Sequence, residues 1–437
     1  MTFDITQLNS TSSDFEKDLK QVLNRHQESE TNVDALVLDI IRDVQARGDQ
    51  ALVDYTAKFD NFTVTNINAL ELSEERLQQA SADISKEQFS ALTHAADRIK
   101  HYHQYQLQDS WSYQETDGTR LGQKILPMER AGLYIPGGKA AYPSSVLMTA
   151  IPAKVAGVKE LVMMVPAPAG ELNEMVLAAA YLAGVDRIFT IGGAQAIAAL
   201  AYGTETVPPV DTIVGPGNVY VASAKKQVFG QVGIDMIAGP SEVLIVADDS
   251  VDPDWVAMDM FAQAEHDEMA QSILLTSDPG VADNVLESIK RLLPTMERRT
   301  IIEQSLAKTG AIIVAEDEQE FVDIIDMIAP EHLELMHKDA ESLSDRVTHA
   351  GAIFVGRYSS ESLGDYVAGP SHVLPTSGTA RFSSPLGVYD FQKRTSIIHC
   401  SAGSANTLGK TAATIASSEA LTAHARSAQM RIADDLD

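Results

Sequence analysis

The spacing of apolar positions divides the chain into stretches of different texture. In "ETNVDALVLDIIRDVQARGDQALVDYTAKFD", Val33, Leu36, Ile40, Ile41 and Val44 recur at helical spacing, and Phe89, Leu92 and Ile99 do so in "DISKEQFSALTHAADRIKHYHQYQ". Recurrence near 3.6 residues predicts amphipathic helices, so residues 1 to about 110 read as helical. From about residue 125 the period shortens. "ERAGLYIPGG" leads into "SSVLMTAIPAKVAG", "KELVMMVPAP" into "NEMVLAAAYLAG", "DRIFTIGG" into "AQAIAALAYG", and "DTIVGPGN" into "VYVASAKKQVFG". Strand, glycine loop and helix in repetition predict a parallel α/β unit with buried strands. A second such unit follows. "SEVLIVADD", "QSILLTSD", "GAIIVAED" and "GAIFVGRY" are its strands, with helical patterns near 253–268, 281–306 and 318–328. From about 395 the chain is rich in Ala, Ser and Thr and reads as helical.

Composition narrows the picture. A length of 437 residues, 45% hydrophobic, suggests two or three domains. The 33 Lys and Arg face 61 Asp and Glu, a formal charge of -28. A field of that sign repels nucleic acid and anionic membranes, so neither is expected as a partner. No apolar run reaches the roughly 18 to 20 residues of a spanning helix. "MTFDITQLNSTSSDFEKDLK" has neither the basic start nor the apolar centre of a secretory signal. Cys400 is the sole cysteine, so there is no internal disulfide and no cysteine-based metal site. These features fit a reducing cytoplasm.

The glycines bear on cofactors. No Gly-x-Gly-x-x-Gly follows a strand, and there is no P-loop. Gly137 and Gly138, Gly192 and Gly193, and Gly215 and Gly217 instead stand at strand-to-helix turns. Each pair can be only a tight turn. Several in one unit favour a nucleotide crevice, because bare amides and helix N-termini then meet at one sheet edge.

The polar residues offer several constellations. Asp252 before Pro253 predicts a helix start. Val256, Met260 and Ala264 then form an apolar stripe, with Asp259, Gln263 and His266 beside it. Alone, the Gln263–His266 pair reads as a solvated helix end. "IAPEHLELM" sets Glu331 and His332 after Pro330, which disfavours helical backbone at Ala329. In a fixed loop they are an acid/base pair or a satisfied loop histidine. Asp365 and His372 lie among the Gly and Pro turns of "SSESLGDYVAGPSHVLPT". Glu419 and His424, in "SSEALTAH", are five apart and face one way only if the helix breaks between them. His94, His101 and His103 read as surface or capping histidines. Gln263, His266, Asp365 and His424 are ligand types zinc accepts, but spacing alone does not bring them together.

At these residues the chain resembles the histidinol dehydrogenase family over nearly its whole length. The most specific block is "IAGPSEVLIVADDSVDPDWVAMDMFAQAEHDEMAQSILLTSD". "APEHLEL", "GDYVAGPSHVLPTSGTARFSSPLGVYDFQKR" and "LTAH" agree in order and spacing. The resemblance implies an α/β protein with two Rossmann-like parallel domains and helical N- and C-terminal segments that swap in a homodimer. It implies an N-terminal arm at 1–24, a first α/β domain at 25–133 and 242–382, a second at 134–241, and a dimerisation segment at 383–437. The implied activity is the oxidation of L-histidinol through the aldehyde to L-histidine with two NAD. The implied zinc ligands, one ion per subunit, are Gln263, His266, Asp365 and His424. Ser241, His332, His372 and Glu419 would contact substrate along with the ligands, and Tyr134, Gln195 and Asn218 would contact NAD. His332 would act as base and Glu331 would activate water, while zinc anchors the substrate. His424 and Glu419 would reach the neighbouring subunit's site. The rivals are a zinc- and NAD-dependent relative acting on another small polar alcohol such as a sulfonated diol, a metal-dependent hydrolase, and a regulatory nucleotide-binding module. Retention of His372 and Glu419 favours histidinol.

Overall fold

A computed structural model describes residues 5–23, 30–137 and 141–432; Gly138 lies outside them. The chain forms two compact units, one of residues 1–106 and 128–391 and one of 107–127 and 392–437.

The larger unit holds two six-stranded sheets. In one, the strands run in the order Thr6–Asn9, Ala311–Val314, Gln271–Thr276, Glu242–Ala247, His332–Met336 and Ala352–Val355, all parallel. Every residue of Glu242–Ala247 and Gln271–Thr276 is buried, as expected of strands covered by helices on both faces. The other sheet runs Glu71–Leu72, Arg187–Phe189, Glu160–Met164, Arg130–Tyr134, Thr212–Val214 and Gly233–Ile234, parallel except for its first strand. Apart from the added edge strand, each sheet has the doubly wound order 3-2-1-4-5, which explains how the chain builds nucleotide-type architecture twice.

Several expectations change. Thr6–Asn9 is a strand, not helix, because it adds in register to the edge strand Ala311–Val314. "HLELM" is a fully buried strand rather than a loop. The grouping of 25–133 with 242–382 does not match the cores. Val37, Ile40 and Val44 pack with Phe189, and Leu77, Leu92 and Ile99 pack with Leu133 and Met163, so this helical segment covers the sheet built from 130–234. The boundary at 133/134 also cuts the strand Arg130–Tyr134. Phe15, Leu19 and Val22 instead pack on Leu244, Ile273 and Ile313 of the other sheet. Local spacing predicts a helix but not which sheet receives its apolar face. Among the histidines, His94 and His101 are exposed, but His103 is fully buried. Its Nδ1 donates to the Ile99 carbonyl at 2.7 Å, and burial lowers its pKa.

The smaller unit joins a three-stranded antiparallel sheet, in the order Gln392–His399, Arg120–Pro127 and Trp111–Gln114, to a helical hairpin of Ala402–Ser418 and Thr422–Gln429. The C-terminal segment thus starts at 392 and takes 107–127 with it, rather than running from 383.

Candidate active site

The centre of the site is a reciprocal link between adjacent strands. Val243 pairs with His332 in the ladder between Glu242–Ala247 and His332–Met336. The Glu242 amide donates to the Glu331 carboxylate at 2.8 Å, and His332 Nδ1 donates to the Glu242 carbonyl at 2.9 Å. A carbonyl only accepts, so Nδ1 carries a proton, and in the neutral ring Nε2 is the nitrogen with the lone pair. Nε2 is buried with no hydrogen-bond partner, 3.6 Å from Asp365 Oδ1. The local backbone produces this placement. Ala329 ends the helix Phe321–Ile328 in left-handed geometry (φ 49°), and Pro330 follows, so the chain turns sharply into the strand.

The helix Pro253–Ala264 supplies the next residues. Asp252 caps it by accepting from the Asp254 amide. Its last turn returns to the amino-terminal edge of the sheet, where Gln263 Nε2 lies 3.5 Å from His332 Nδ1. Gln263 Oε1 is buried without a partner. His266 follows just past the helix. Asp365 rides on the wide turn Gly364–Ala368. A Cβ at Gly364 would stand 2.5 Å from the Phe354 ring, so a larger residue there would displace that ring.

Ligand atoms of His266, Asp365 and Glu361 all lie within 4.8 Å of one another. His372 joins through Asp365: its Nδ1 donates to the Asp365 carbonyl at 3.0 Å, and its Nε2 accepts from Ser145 Oγ at 3.1 Å. Ser241 precedes the centre strand, and its carbonyl accepts from the Gln271 amide. One edge thus gathers Ser241, Gln263, His266, Glu331, His332, Asp365 and His372. Glu419 and His424 belong to the smaller unit, where Ala420 (φ 60°) breaks the helical hairpin between them, as their spacing requires.

The electrostatics are those of a buried acidic nest. Burial pushes Glu331 up to about 8 and Glu242 up to about 7. Burial also raises Glu361 and Glu334, the latter further pressed by Asp259 and Glu361. Burial alone would depress His332, but Glu361, Glu331 and Asp365 hold it well above the usual imidazole range. Burial would raise Asp365, but His332, His372 and His266 draw it below the carboxylate range. Burial lowers His266 and His372.

The sequence reasoning passed over Glu242, Glu334 and Glu361. A signal existed for one of them: a charge inside the apolar run "HLELM" must be buried with a purpose or a partner. Glu361, in the polar stretch "SSESLGD", carried none.

The glycine loops meet at the carboxyl-terminal edge of the other sheet. Tyr134 ends its strand there, and its hydroxyl accepts from the Gly193 amide at 3.1 Å. Gln195 is buried with Oε1 unpartnered, and Asn218 caps the helix Val219–Val228 through the Tyr220 and Val221 amides. Gly215 (φ 114°) lies so close to this strand that a Cβ would stand 2.1 Å from the Tyr134 carbonyl oxygen. A buried ion pair fixes the loop from beneath. Lys225 Nζ pairs with Asp235 and donates to the Gly215 carbonyl at 3.0 Å, while Asp235 accepts from the Gly215 amide at 2.8 Å. The amino edge of one sheet and the carboxyl edge of the other therefore carry the two halves of the candidate chemistry.

The family profile described as histidinol dehydrogenase matches residues 23–432. A histidinol dehydrogenase of Pseudomonas fluorescens (strain Pf0-1) is 61% identical over 432 residues, covering 99% of this chain and 98% of that protein. One from Dechloromonas aromatica is 59% identical, covering 98% and 99%. The crystal structure of histidinol dehydrogenase from Elizabethkingia anophelis superposes with a TM-score of 0.92 at 34% identity, covering 99% of both chains. The chain belongs to the histidinol dehydrogenase family.

Proposed function

We propose that the chain oxidises L-histidinol to L-histidine through L-histidinaldehyde, in two successive NAD-dependent steps at the amino-edge site. The observation that carries this reading is the buried, unpartnered Nε2 of His332 beside Asp365, with Nδ1 bonded to the Glu242 carbonyl and 3.7 Å from Glu331.

The site fits a divalent cation. Gln263 Oε1 and Glu361 Oε2 are buried without hydrogen-bond partners. Zinc would be held by Gln263, His266 and Asp365, with His424 from a second copy. When bound, it supplies a fixed point for the substrate's imidazole and amine and a charge that opposes the rise in the His332 pKa. NAD would lie against Tyr134, Gln195 and Asn218, and it accepts the hydride.

The chain's own residues move the protons. His332 takes the hydroxyl proton at Nε2 as hydride leaves the alcohol carbon. Glu331 then takes a proton from the water that adds to the aldehyde. Once it has released the first proton to solvent, His332 removes a proton from the resulting hydrate at Nε2 as the second hydride departs. His372, Ser241 and Glu419 would orient the imidazole and amine ends.

A homodimer with shared sites, in which Glu419 and His424 serve the neighbouring subunit, is part of this reading and is supported by the family membership. The smaller unit leaves Ile398, Leu408, Ile415, Leu421 and Met430 exposed, which is the kind of surface a second copy covers. No helix among the described residues is long and apolar enough to cross a membrane. We place the enzyme in the cytoplasm on its cysteine usage.

The deciding assay is NADH production from L-histidinol with and without a chelator. The expected result is two NADH per histidinol, abolished by chelation and restored by zinc. No NADH from histidinol would sink the activity, and full turnover in metal-free protein would sink the zinc assignment.

A further inference from the structure

We infer that Glu361 is a carboxylate ligand of the metal site, contributed by the same chain as His266 and Asp365. The inference deepens the zinc reading above and rests on it.

Three observations converge on Glu361. Its ligand oxygen lies within 4.8 Å of those of His266 and Asp365, close enough for one ion to touch all three. The residue is 2% exposed, and its Oε2 is buried with no hydrogen-bond partner. A buried carboxylate oxygen with no donor is costly, and a cation is the partner that removes the cost. Its backbone is also fixed independently of any metal. Glu361 opens the short helix Glu361–Leu363, and its amide donates to Glu334 Oε1 at 2.5 Å. Glu334 stands on the central strand His332–Met336, so the helix start is tied to the same strand that presents the base. This side chain is therefore held in place toward the site instead of reaching it by chance.

Charge supports the assignment. Gln263, His266, Asp365 and a second histidine around a divalent ion leave one positive charge. A Glu361 carboxylate neutralises it, which a buried site favours. Ligand exchange then has a natural candidate: Glu361 occupies a position that the substrate's amine or imidazole takes on binding.

The test uses the full-length dimer, stripped of metal and titrated with zinc against a chromophoric chelator, and separately with Co(II) to record the ligand-field spectrum. Wild type, Glu361→Gln and Glu361→Asp are compared without substrate, with His266→Asn as a known-ligand control. Glu361→Gln should bind zinc at least about tenfold more weakly and should change the position or intensity of the Co(II) bands. Glu361→Asp keeps the charge but shortens the reach, so it should also shift the bands and offers a second reading if the Gln variant folds poorly. Unchanged Co(II) spectra in both variants overturn the proposal. That holds even if zinc affinity falls, because Glu361 would then act only through its neighbours. If wild type and His266→Asn bind metal alike, the zinc reading itself falls and takes this proposal with it.

Discussion

At the scale of single residues, environment separates the two protonic roles proposed for Glu331 and His332. Glu331 and His332 are neighbours in sequence, yet one hydrogen-bonds a backbone amide and the other a backbone carbonyl. Burial holds Glu331 up to about 8, so its basic form appears only as pH rises through that value. The aldehyde step should therefore accelerate between about pH 7 and 9 and then level off. Glu331→Gln should flatten that profile and slow aldehyde oxidation by roughly 10² to 10⁴-fold, leaving alcohol oxidation far less affected. Single-turnover assays started from histidinol and from the aldehyde separate the two steps, and equal losses in both would remove the water-activating role. His332→Asn should slow both by a similar factor.

At the scale of elements, the Gly215 loop is a place where a small change has a large reach. Lys225 and Asp235 are almost wholly buried. Lys225→Met leaves the Asp235 charge without its partner and should cost roughly 3 to 5 kcal/mol of stability. Adding Asp235→Leu should recover much of that in a denaturant melt, while weakening of NAD binding should persist because the Gly215 amide has lost its acceptor. A double variant as unstable as Lys225→Met alone would show that the pair is not the source. The strands around this loop were legible because each is an apolar run bounded by glycine. "HLELM" was not, because Pro330, Glu331 and His332 open it with turn and polar residues, and nothing local says that a charge at 334 will be buried. The helices at 30–104 were legible as helices, but the sheet they cover was not, since an apolar stripe does not name its partner. The polar side of Pro253–Ala264 was legible from helix phase, whereas Glu361 acquires its place only through Glu334 on a distant strand.

At the scale of the whole molecule, the buried acids couple folding to pH and metal. Glu242 and Glu331 titrate at about 7 and about 8 in the folded chain, against an ordinary glutamate value of 4.5. The folded state thus holds more protons than the unfolded chain between 4.5 and these values, so stability is intact below about pH 4.5, declines as pH rises and levels off above about 8. Each group contributes a slope of about 1.4 kcal/mol per pH unit between its two values. The melting temperature of metal-free protein should fall from pH 6 to 9. Zinc should shallow that decline, and Glu331→Gln should remove part of it. A metal-free melting temperature that rises over this range would contradict the assignment. The proposed sharing of sites makes a separate prediction. A 1:1 mixture of His332→Asn and His424→Asn chains, each inactive alone, should regain about a quarter of wild-type activity on subunit exchange, since half of the dimers then hold one intact site. No recovery after proven exchange would confine each site to one chain.

The acceptor that fixes His332 in its working tautomer is the main-chain carbonyl of Glu242. No codon change at 242 can delete it, since all twenty amino acids bring the same C=O. The orientation of the base is therefore shielded from single mutations in a way that a supporting aspartate would not be. Drift can erode the carboxylates and the other polar side chains around it, but the histidine keeps its aim while they change. A lineage that abandoned histidinol for another alcohol would inherit a ready proton acceptor and would need to rebuild only what surrounds it.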